Sequence, residues 1–477
     1  MMVWTLALRH LVVRPGRAVV LFGGYAIGVA VMIVLLSVGD AMLDQSRDAS
    51  LISGGELTAL PQGVDIEAMR TGGLTGMFFG INGARFVTRQ LIGGARHQSF
   101  VAAASPVLEQ KLLQLRHGDS TWAVRAGGEL PDAAMRAGAG LRLVTGEWRD
   151  GPVDRAWNMP TRQEFYDEID RFHLPARRDS SWAEWHYFNI VASEREWWYV
   201  TLLVGGNVGG TVAGGQVLVT HRSPDGAYQR FTMPASGNAV IVDTSRADLV
   251  VGSSSVTQRD GVYHVHGVAG TATVDFNLTP APAFHFPPVE LGDDHDASGY
   301  VVPALVATAT GRFCVAGACR ELREVSAYHD HNWGSWRAVT WEWGSGRGIR
   351  HALLYGGVIS QGSGGTAPFF LALEDSLGVR QLYRFDSVEH LGSRDVPGMP
   401  GIVAPESLRI NASRLGDSLR IDVRVVDVAA SRSPVAGPGR VFLQMRGQWK
   451  ATGTAAGVAV ADSGTGFFET WVNRRKT

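Results

Sequence analysis

Residues 182–204 read WAEWHYFNIVASEREWWYVTLLV, and this stretch decides the fold class of the chain. Aromatic and β-branched residues fill both halves, and the S-E-R-E segment at 193–196 is typical of a turn. The stretch therefore predicts two antiparallel strands. Because side chains alternate across a strand, the first strand has two faces: Glu184, His186 and Phe188 on one, and Trp185, Tyr187 and Asn189 on the other.

The same pattern of short apolar runs separated by turns continues to the C-terminus. Apolar runs such as AVIVDT, TVDFNLT, FFLALED and LRIDVRVVDV alternate with turns rich in Gly, Asp, Asn and Pro. This pattern predicts a mainly β protein with more strands than one small barrel holds, so it favours two antiparallel barrels or sandwiches. We assign the first barrel to residues 181–325 and the second to residues 326–477.

Composition excludes several classes of protein. Glycine accounts for 59 of 477 residues without the every-third-position repeat of collagen, so it serves the turns between strands. Lys plus Arg (44) and Asp plus Glu (45) nearly cancel, which leaves no global field to attract a polyanion. We therefore expect no nucleic-acid partner.

Residues 18–38, AVVLFGGYAIGVAVMIVLLSV, carry no charge. At about 1.5 Å per residue they match a hydrocarbon core about 30 Å thick, which predicts a single transmembrane helix. Arginines precede the run and aspartates follow it, so the positive-inside rule predicts an inner-membrane protein with residues 1–17 cytoplasmic and the main body periplasmic. A cleaved signal peptide is the alternative, but its apolar run is usually shorter.

Two further regions lie between this helix and the barrels. Residues 39–160 are rich in Gly, Ala and Leu and predict an extracytoplasmic mixed α/β region or a stalk, and residues 161–180 predict a linker that holds a short amphipathic helix. Within the first barrel, Cys314 and Cys319 flank a V-A-G-A segment typical of a tight turn. An extracytoplasmic compartment permits a disulfide there, and we predict one across this hairpin.

A second tryptophan-rich region begins with YHDHNWG at residues 328–334. If this segment is extended, its side chains divide into two faces: Tyr328, Asp330 and Asn332 on one, and His329, His331 and Trp333 on the other. From the residues alone, Asp330 is either a member of a buried polar network or a catalytic acid. Tryptophans at such alternating positions are also typical of core packing, and Trp185, Trp197 and Trp198 share that interpretation.

Two H-x-H pairs raise the question of a metal site. His329 with His331, and His264 with His266, each put two imidazoles on one face of a strand. No third ligand follows either pair at a diagnostic spacing, so we assign no metal and no cofactor.

Four motifs in order resemble those of the carotenoid 1,2-hydratase family, also called hydroxyneurosporene synthase or CrtC-like, which is related to AttH-like proteins. They are EWHYFN (184–189), EWWY (196–199), YHDHNWG (328–334) and GTGFFE (464–469). The resemblance covers roughly residues 180–477 and implies two consecutive lipocalin-like barrels that bind an apolar isoprenoid or lipid. For the enzymes of that family, the resemblance further implies acid-catalysed addition of water to a C=C bond. This is the hydration direction of a hydro-lyase reaction.

The resemblance also implies roles for single residues. The family's Y-x-D pair maps onto Tyr328 and Asp330, of which Asp330 is the expected proton donor. A carboxyl group can protonate an alkene if an apolar pocket keeps it neutral, and aromatic faces stabilise the resulting cation. The predicted ligand-binding side chains are Trp185, Tyr187, Trp198, His285, His331 and Trp333. His285 lies in AFHFP (283–287), where phenylalanine replaces the family's tryptophan.

The N-terminus carries a separate resemblance. Residues 6–44 are similar to the first membrane helix of FtsX/MacB-type ABC transporter permeases, which often begin with an L-x-x-R-P-x-R approach. This supports a second hypothesis, in which the chain is a non-enzymatic lipid-binding accessory of an ABC transporter.

Overall fold

The computed structural model describes residues 15–47, 81–94, 96–118, 120–137, 162–174, 179–207, 212–291, 298–335, 339–360, 369–414, 416–432 and 439–473. The chain forms two compact units. One consists of Met1–Phe78 and Ala102–Gly151, and the other of Phe79–Val101 and Pro152–Thr477. Most of the predicted cytoplasmic segment 1–17 and much of the predicted region 39–160 lie outside the described residues.

The first unit has few described elements. They are helix α1 (Pro15–Arg47), strands β1 (Val107–His117) and β2 (Ser120–Glu129), which pair antiparallel, and the short helix α3 (Pro131–Arg136). The predicted transmembrane segment 18–38 lies within α1. None of the helices in the described part of the chain is both long and apolar enough to span a membrane, so the structure gives that prediction no support.

Two helices of the second unit pack on its strands. Helix α2 (Ile81–Gly93) belongs to this unit although residues 39–160 were predicted as one region. Helix α4 (Arg162–Ile169) buries Tyr166 and Ile169 in the core of the first barrel, and Phe172 follows them there. The described residues 162–174 of the predicted linker 161–180 are therefore part of the first barrel, because they cover apolar surface that the strands leave open.

The first barrel is a twelve-stranded antiparallel sheet. Its strands are β3 (Asp179–Ser193), β4 (Glu196–Asn207), β5 (Val212–Arg222), β6 (Tyr228–Ser236), β7 (Val240–Val242), β8 (Leu249–Val251), β9 (Ser254–Arg259), β10 (Val262–Ala269), β11 (Ala272–Pro280), β12 (Phe286–Leu291), β13 (Ser298–Val315) and β14 (Ala318–Ser335). The order of hydrogen-bonded neighbours is β6-β5-β4-β3-β14-β13-β11-β10-β9-β8-β7, and β12 pairs with β13.

The strands of the second barrel are β15 (Val339–Gly348), β16 (Ala352–Ser360), β17 (Phe369–Asp375), β18 (Gly378–Phe385), β19 (Glu389–Leu391), β22 (Ser407–Arg414), β23 (Asp417–Arg432), β24 (Arg440–Ala455) and β25 (Val458–Asn473). The order of hydrogen-bonded neighbours is β18-β17-β16-β15-β25-β24-β23-β22-β19, and a pairing of Arg384 with Ser413 joins β18 to β22 and closes the barrel. A separate ribbon pairs β20 (Arg394–Asp395) with β21 (Val403–Ala404).

The boundary between the barrels lies later than the predicted 325/326. Strand β14 pairs with β3 from Ser326 to Ser335, so it completes the first sheet. The second sheet begins at Val339. The motif at 328–334 therefore belongs to the first barrel, because its strand is held by neighbours on both sides there.

Turn chemistry accounts for the hairpin between β13 and β14. Ala316 and Gly317 both have positive φ, 48° and 84°, which is the conformation of a tight primed turn. The turn places Cys314 opposite Cys319, and their sulfur atoms form a disulfide.

Each barrel has its own apolar interior, and a third apolar cluster lies between the barrels. The interior of the second barrel depends on two glycines of β15. A Cβ atom at Gly346 would overlap the indole of Trp449, and one at Gly344 would overlap the ring of Tyr355. The third cluster unites Tyr187, Tyr199 and Tyr328 of the first barrel with Trp343 and Phe467 of the second, so the outward faces of β3, β4 and β14 are covered by the second barrel.

Candidate functional site between the barrels

The site lies on the face of β3 and β14 that is turned towards the second barrel. Register places Tyr187 of β3 opposite Asp330 of β14, and Asn189 opposite Tyr328. Residues directly opposite in an antiparallel pair share a face, so these four side chains lie side by side. We call this region the inter-barrel site.

Asp330 is the central acidic residue of the site. Only 4% of it is exposed. The Tyr328 hydroxyl donates a hydrogen bond of 2.8 Å to its Oδ2, and Asn332 Nδ2 donates one of 2.7 Å to its Oδ1. Burial raises the pKa of Asp330 to about 8, against the lowering effect of these two donors. The carboxyl group is therefore mostly protonated at neutral pH.

A second carboxyl group faces the site from the other barrel. Trp341 Nε1 donates to Glu469 Oε2 over 3.0 Å, and Gln444 Nε2 donates to Glu469 Oε1 over 3.3 Å. Burial raises the pKa of Glu469 to about 7, and the charge of Glu469 in turn raises the pKa of Asp330. The two carboxyl groups thus titrate as a coupled pair near neutral pH.

Aromatic rings from both barrels line the site. The Trp343 indole lies 5.3 Å from the Tyr328 ring and 6.5 Å from the Tyr187 ring, measured between centroids. Tyr187 stacks towards Tyr199 at 6.2 Å, and Gln444 Nε2 donates to the Tyr187 hydroxyl over 2.9 Å. The acids therefore lie in an aromatic environment of low polarity, which explains their raised pKa values.

Two polar side chains beside the acids lack hydrogen-bond partners among the described residues. They are the Asn189 amide, at both Nδ2 and Oδ1, and the Tyr199 hydroxyl. Both are buried, and register places them opposite each other. A buried polar group without a partner costs stability, so these atoms can bind the polar group of a ligand.

The structure brings together only part of the predicted site. Tyr328, Asp330, Trp185 and Tyr187 share the inter-barrel face. His285, by contrast, contacts Gln90 of α2, with 3.1 Å between their Nε2 atoms, and lies edge-on to Phe165.

The other three predicted ligand-binding residues face the interior of the first barrel. Trp198 stacks on His221 at 3.8 Å, and Trp333 stacks on His173 at 3.7 Å. His331 lies beside them on the interior face, where it contacts Asp170. Alternation explains the division, because these side chains occupy the positions of opposite parity on their strands.

Three residues of the site were not predicted from the sequence: Glu469, Gln444 and Trp343. Glu469 ends the GTGFFE motif, and strand alternation places it on the outward face that register shares with Trp343 and Gln444. That periodicity was the only signal in the sequence, and it does not say what the outward face contacts.

A second polar group lies inside the first barrel, and we call it the buried histidine cluster: Asp170, Glu184, His186, His329 and His331. All five are completely buried. His331 Nδ1 lies 2.8 Å from Asp170 Oδ1, and its Nε2 lies 2.9 Å from Glu184 Oε1. Burial lowers the pKa of His331, but the hydrogen bonds to the two carboxyl groups outweigh it and raise the pKa to about 10.

The other histidines of the cluster have different surroundings. His186 has a pKa well below its ordinary value, because burial and the nearby His331 both disfavour its charged form. Asp170 also accepts a hydrogen bond of 2.5 Å from the Tyr263 hydroxyl. Asp170, His186 and His329 each offer a potential ligand atom, and these atoms lie within 4.8 Å of one another. This trio is the group of described residues that could hold a metal ion.

Comparison with known proteins gives structural similarities without sequence matches. No family model and no curated protein matches the sequence. An AttH-like protein from Nitrosomonas europaea has 16% identity and a TM-score of 0.45, and the match covers 64% of this chain and 98% of that one. CghA bound to Sch210972 has 12% identity and a TM-score of 0.46, covering 65% and 96%.

Kievitone hydratase from Nectria haematococca has 10% identity and a TM-score of 0.44, covering 64% of this chain and 94% of that one. Identities this low, with TM-scores below 0.5, do not define an activity. The chemistry of the site itself must do so.

Proposed function

We propose that this chain binds an apolar, unsaturated molecule at the inter-barrel site and adds water across its double bond by acid catalysis. The observation that carries the proposal is the Asp330 carboxyl, which burial keeps protonated near neutral pH among aromatic rings. Protonation of an alkene requires an acid that still holds its proton at the working pH. An aspartate of ordinary pKa has already lost its proton at neutral pH.

The hydrogen bonds around Asp330 suit a proton donor. Tyr328 and Asn332 both donate to its oxygens, so the proton of the carboxyl itself is directed elsewhere. In the proposed reaction Asp330 gives that proton to one alkene carbon, and the π electrons form the new C–H bond. The two donors then stabilise the carboxylate that remains.

The second alkene carbon is left as a carbocation. The rings of Tyr328, Tyr187 and Trp343 face the same site, and aromatic faces stabilise a cation that is shielded from bulk water. A water molecule attacks the cation with an oxygen lone pair, and its surplus proton passes to Glu469. Glu469 suits this role because a pKa of about 7 leaves much of it ionised at neutral pH. Transfer of a proton from Glu469 to solvent and from solvent to Asp330 completes the cycle.

The test is hydration of an acyclic carotenoid in detergent micelles prepared in deuterated water. We expect wild type to give a product that carries one new C–D bond and a hydroxyl group, and Asp330→Asn to give none while it still binds the probe. Asp260→Asn is the matched control, because Asp260 is exposed at a turn. Product formation by Asp330→Asn at the wild-type rate would refute the acid role.

Binding without turnover is the second candidate, as in a lipophile-binding accessory of an ABC transporter. The specific observation in its favour is the unpartnered amide of Asn189 and hydroxyl of Tyr199, which can hold the polar group of a lipid or isoprenoid without any chemistry. In the same assay this candidate predicts that wild type and Asp330→Asn bind equally and that neither incorporates deuterium. Asn189→Leu would then weaken binding of an oxygenated probe more than that of a hydrocarbon.

A further inference from the structure

We propose that Asp170, His186 and His329 bind a divalent transition-metal ion of the zinc class in the interior of the first barrel. This inference is independent of the inter-barrel site, because His329 and Asp330 point to opposite faces of β14. The surroundings of the His186 and His329 rings show which nitrogen of each ring carries a hydrogen.

Each ring has one nitrogen committed to a backbone carbonyl. His186 Nε2 lies 2.9 Å from the carbonyl oxygen of Ala247, and His329 Nδ1 lies 3.1 Å from that of Tyr187. A carbonyl oxygen can only accept, so His186 Nε2 and His329 Nδ1 both carry the hydrogen. The opposite nitrogens, His186 Nδ1 and His329 Nε2, are therefore the atoms that the two rings can offer to a metal ion.

These two nitrogens differ in their surroundings. His186 Nδ1 is completely buried and has no hydrogen-bond partner. His329 Nε2 lies 3.5 Å from Asp170 Oδ2, at the outer limit of a hydrogen bond. A cation among the three atoms would attract all of them and would give His186 Nδ1 the partner that it lacks.

The spacing also suits a metal. Zinc–ligand bonds are about 2.1 Å long, so two ligands of a tetrahedral ion lie about 3.4 Å apart. The separation of His329 Nε2 and Asp170 Oδ2 matches this distance, and 3.5 Å is long for a charge-assisted hydrogen bond. Nitrogen and carboxylate ligands in this number are typical of zinc and related ions.

The outer contacts have the pattern that metal sites use. Metal-binding histidines usually donate their second N–H to a backbone carbonyl or a carboxylate, as His186 and His329 do here. His331 Nδ1 lies 2.8 Å from Asp170 Oδ1, and the Tyr263 hydroxyl donates a hydrogen bond of 2.5 Å to Asp170 Oδ2, the oxygen that lies near His329 Nε2. We assign His331 as a positioning residue for Asp170 rather than as a ligand.

The test measures zinc bound to the purified full-length protein. After equilibration with zinc sulfate and dialysis, elemental analysis is expected to find about one zinc per chain in wild type and a loss of that zinc in Asp170→Asn and His186→Gln. His266→Gln is the matched control, because His266 is partly exposed on β10 and should leave the content unchanged. Cobalt(II) in place of zinc should give the visible absorption of a tetrahedral site.

The melting temperature of the wild-type protein tests the metal site even if the variants do not fold. Wild type that holds zinc should unfold at a higher temperature than wild type treated with a chelator, because a ligand bound only to the folded state stabilises it. Absence of zinc in dialysed wild type, with identical melting curves in zinc and in chelator, would overturn the proposal. Equal zinc content in wild type and a folded Asp170→Asn would overturn the assignment of these ligands.

Discussion

Replacement of Asp330 by asparagine should change how the stability of the protein depends on pH. The ordinary pKa of an aspartate is 3.8, and burial raises that of Asp330 to about 8 in the folded state. Between these pH values the folded state holds a proton that the unfolded state has released. The contribution of protonated Asp330 to the free energy of unfolding is therefore fully present below about pH 4, and it is lost as the pH rises through about 8.

The size of the effect follows from the same two values. A difference of about 4 pKa units, at about 1.4 kcal/mol per unit, corresponds to a loss of about 6 kcal/mol in the free energy of unfolding. Asparagine cannot ionise, so Asp330→Asn should not show this loss. The variant should gain stability relative to wild type as the pH is raised from about 5 to about 9.

Urea unfolding of wild type and Asp330→Asn at a series of pH values measures this difference directly. Asp260→Asn serves as the control, because Asp260 is exposed at a turn and lies outside the inter-barrel site. If the difference between wild type and Asp330→Asn is also constant with pH, Asp330 ionises normally in the folded protein. In that case Asp330 would be ionised at neutral pH and could not act as the acid catalyst.

Three further predictions concern Glu469, the interior of the second barrel and the disulfide. Glu469→Gln removes the titration of Glu469 itself and also a charge that raises the pKa of Asp330, so the pH-dependent loss of stability should become smaller and end at a lower pH in the same urea series; a loss that ends at the wild-type pH would show that the carboxyl groups are not coupled. Gly346→Ala should destabilise the protein by about 1–3 kcal/mol, because its Cβ would overlap a buried indole in the second barrel, and an unchanged urea midpoint would contradict this packing. Reduction of the disulfide between Cys314 and Cys319 should cost about 2 kcal/mol, since it closes only a short loop; a much larger fall in the urea midpoint would assign the bridge a greater role.

The local features of the sequence were sufficient for much of the fold. Alternation in residues 182–204 correctly divided β3 into the faces that carry His186 and Tyr187, and the same rule separated Asp330 from His331. These predictions hold because the side-chain period of a strand is set by its own backbone. The mainly β character and the presence of two barrels followed from the number of such strands and the turns between them.

The predicted boundary between the barrels failed for a related reason. Nothing in the local pattern says that residues 326–335 pair with β3, because strand pairing is decided by contacts between segments far apart in the chain. The role of residues 161–180 was likewise hidden, since an amphipathic helix shows that it buries one face but not what it is buried against.

The sequence by itself determined which residues share a face of a strand, while only the tertiary structure decided what each face contacts. Docking of the second barrel buries Asp330 beside Glu469 and Trp343, and this burial raises the pKa of the acid. The segment after α4 brings Asp170 within 3.5 Å of His329 and supplies the third ligand of the proposed metal site, which no spacing along the chain could indicate. Desolvation and mutual distance depend on how distant surfaces meet, so the chemistry of both sites follows from packing rather than from motif.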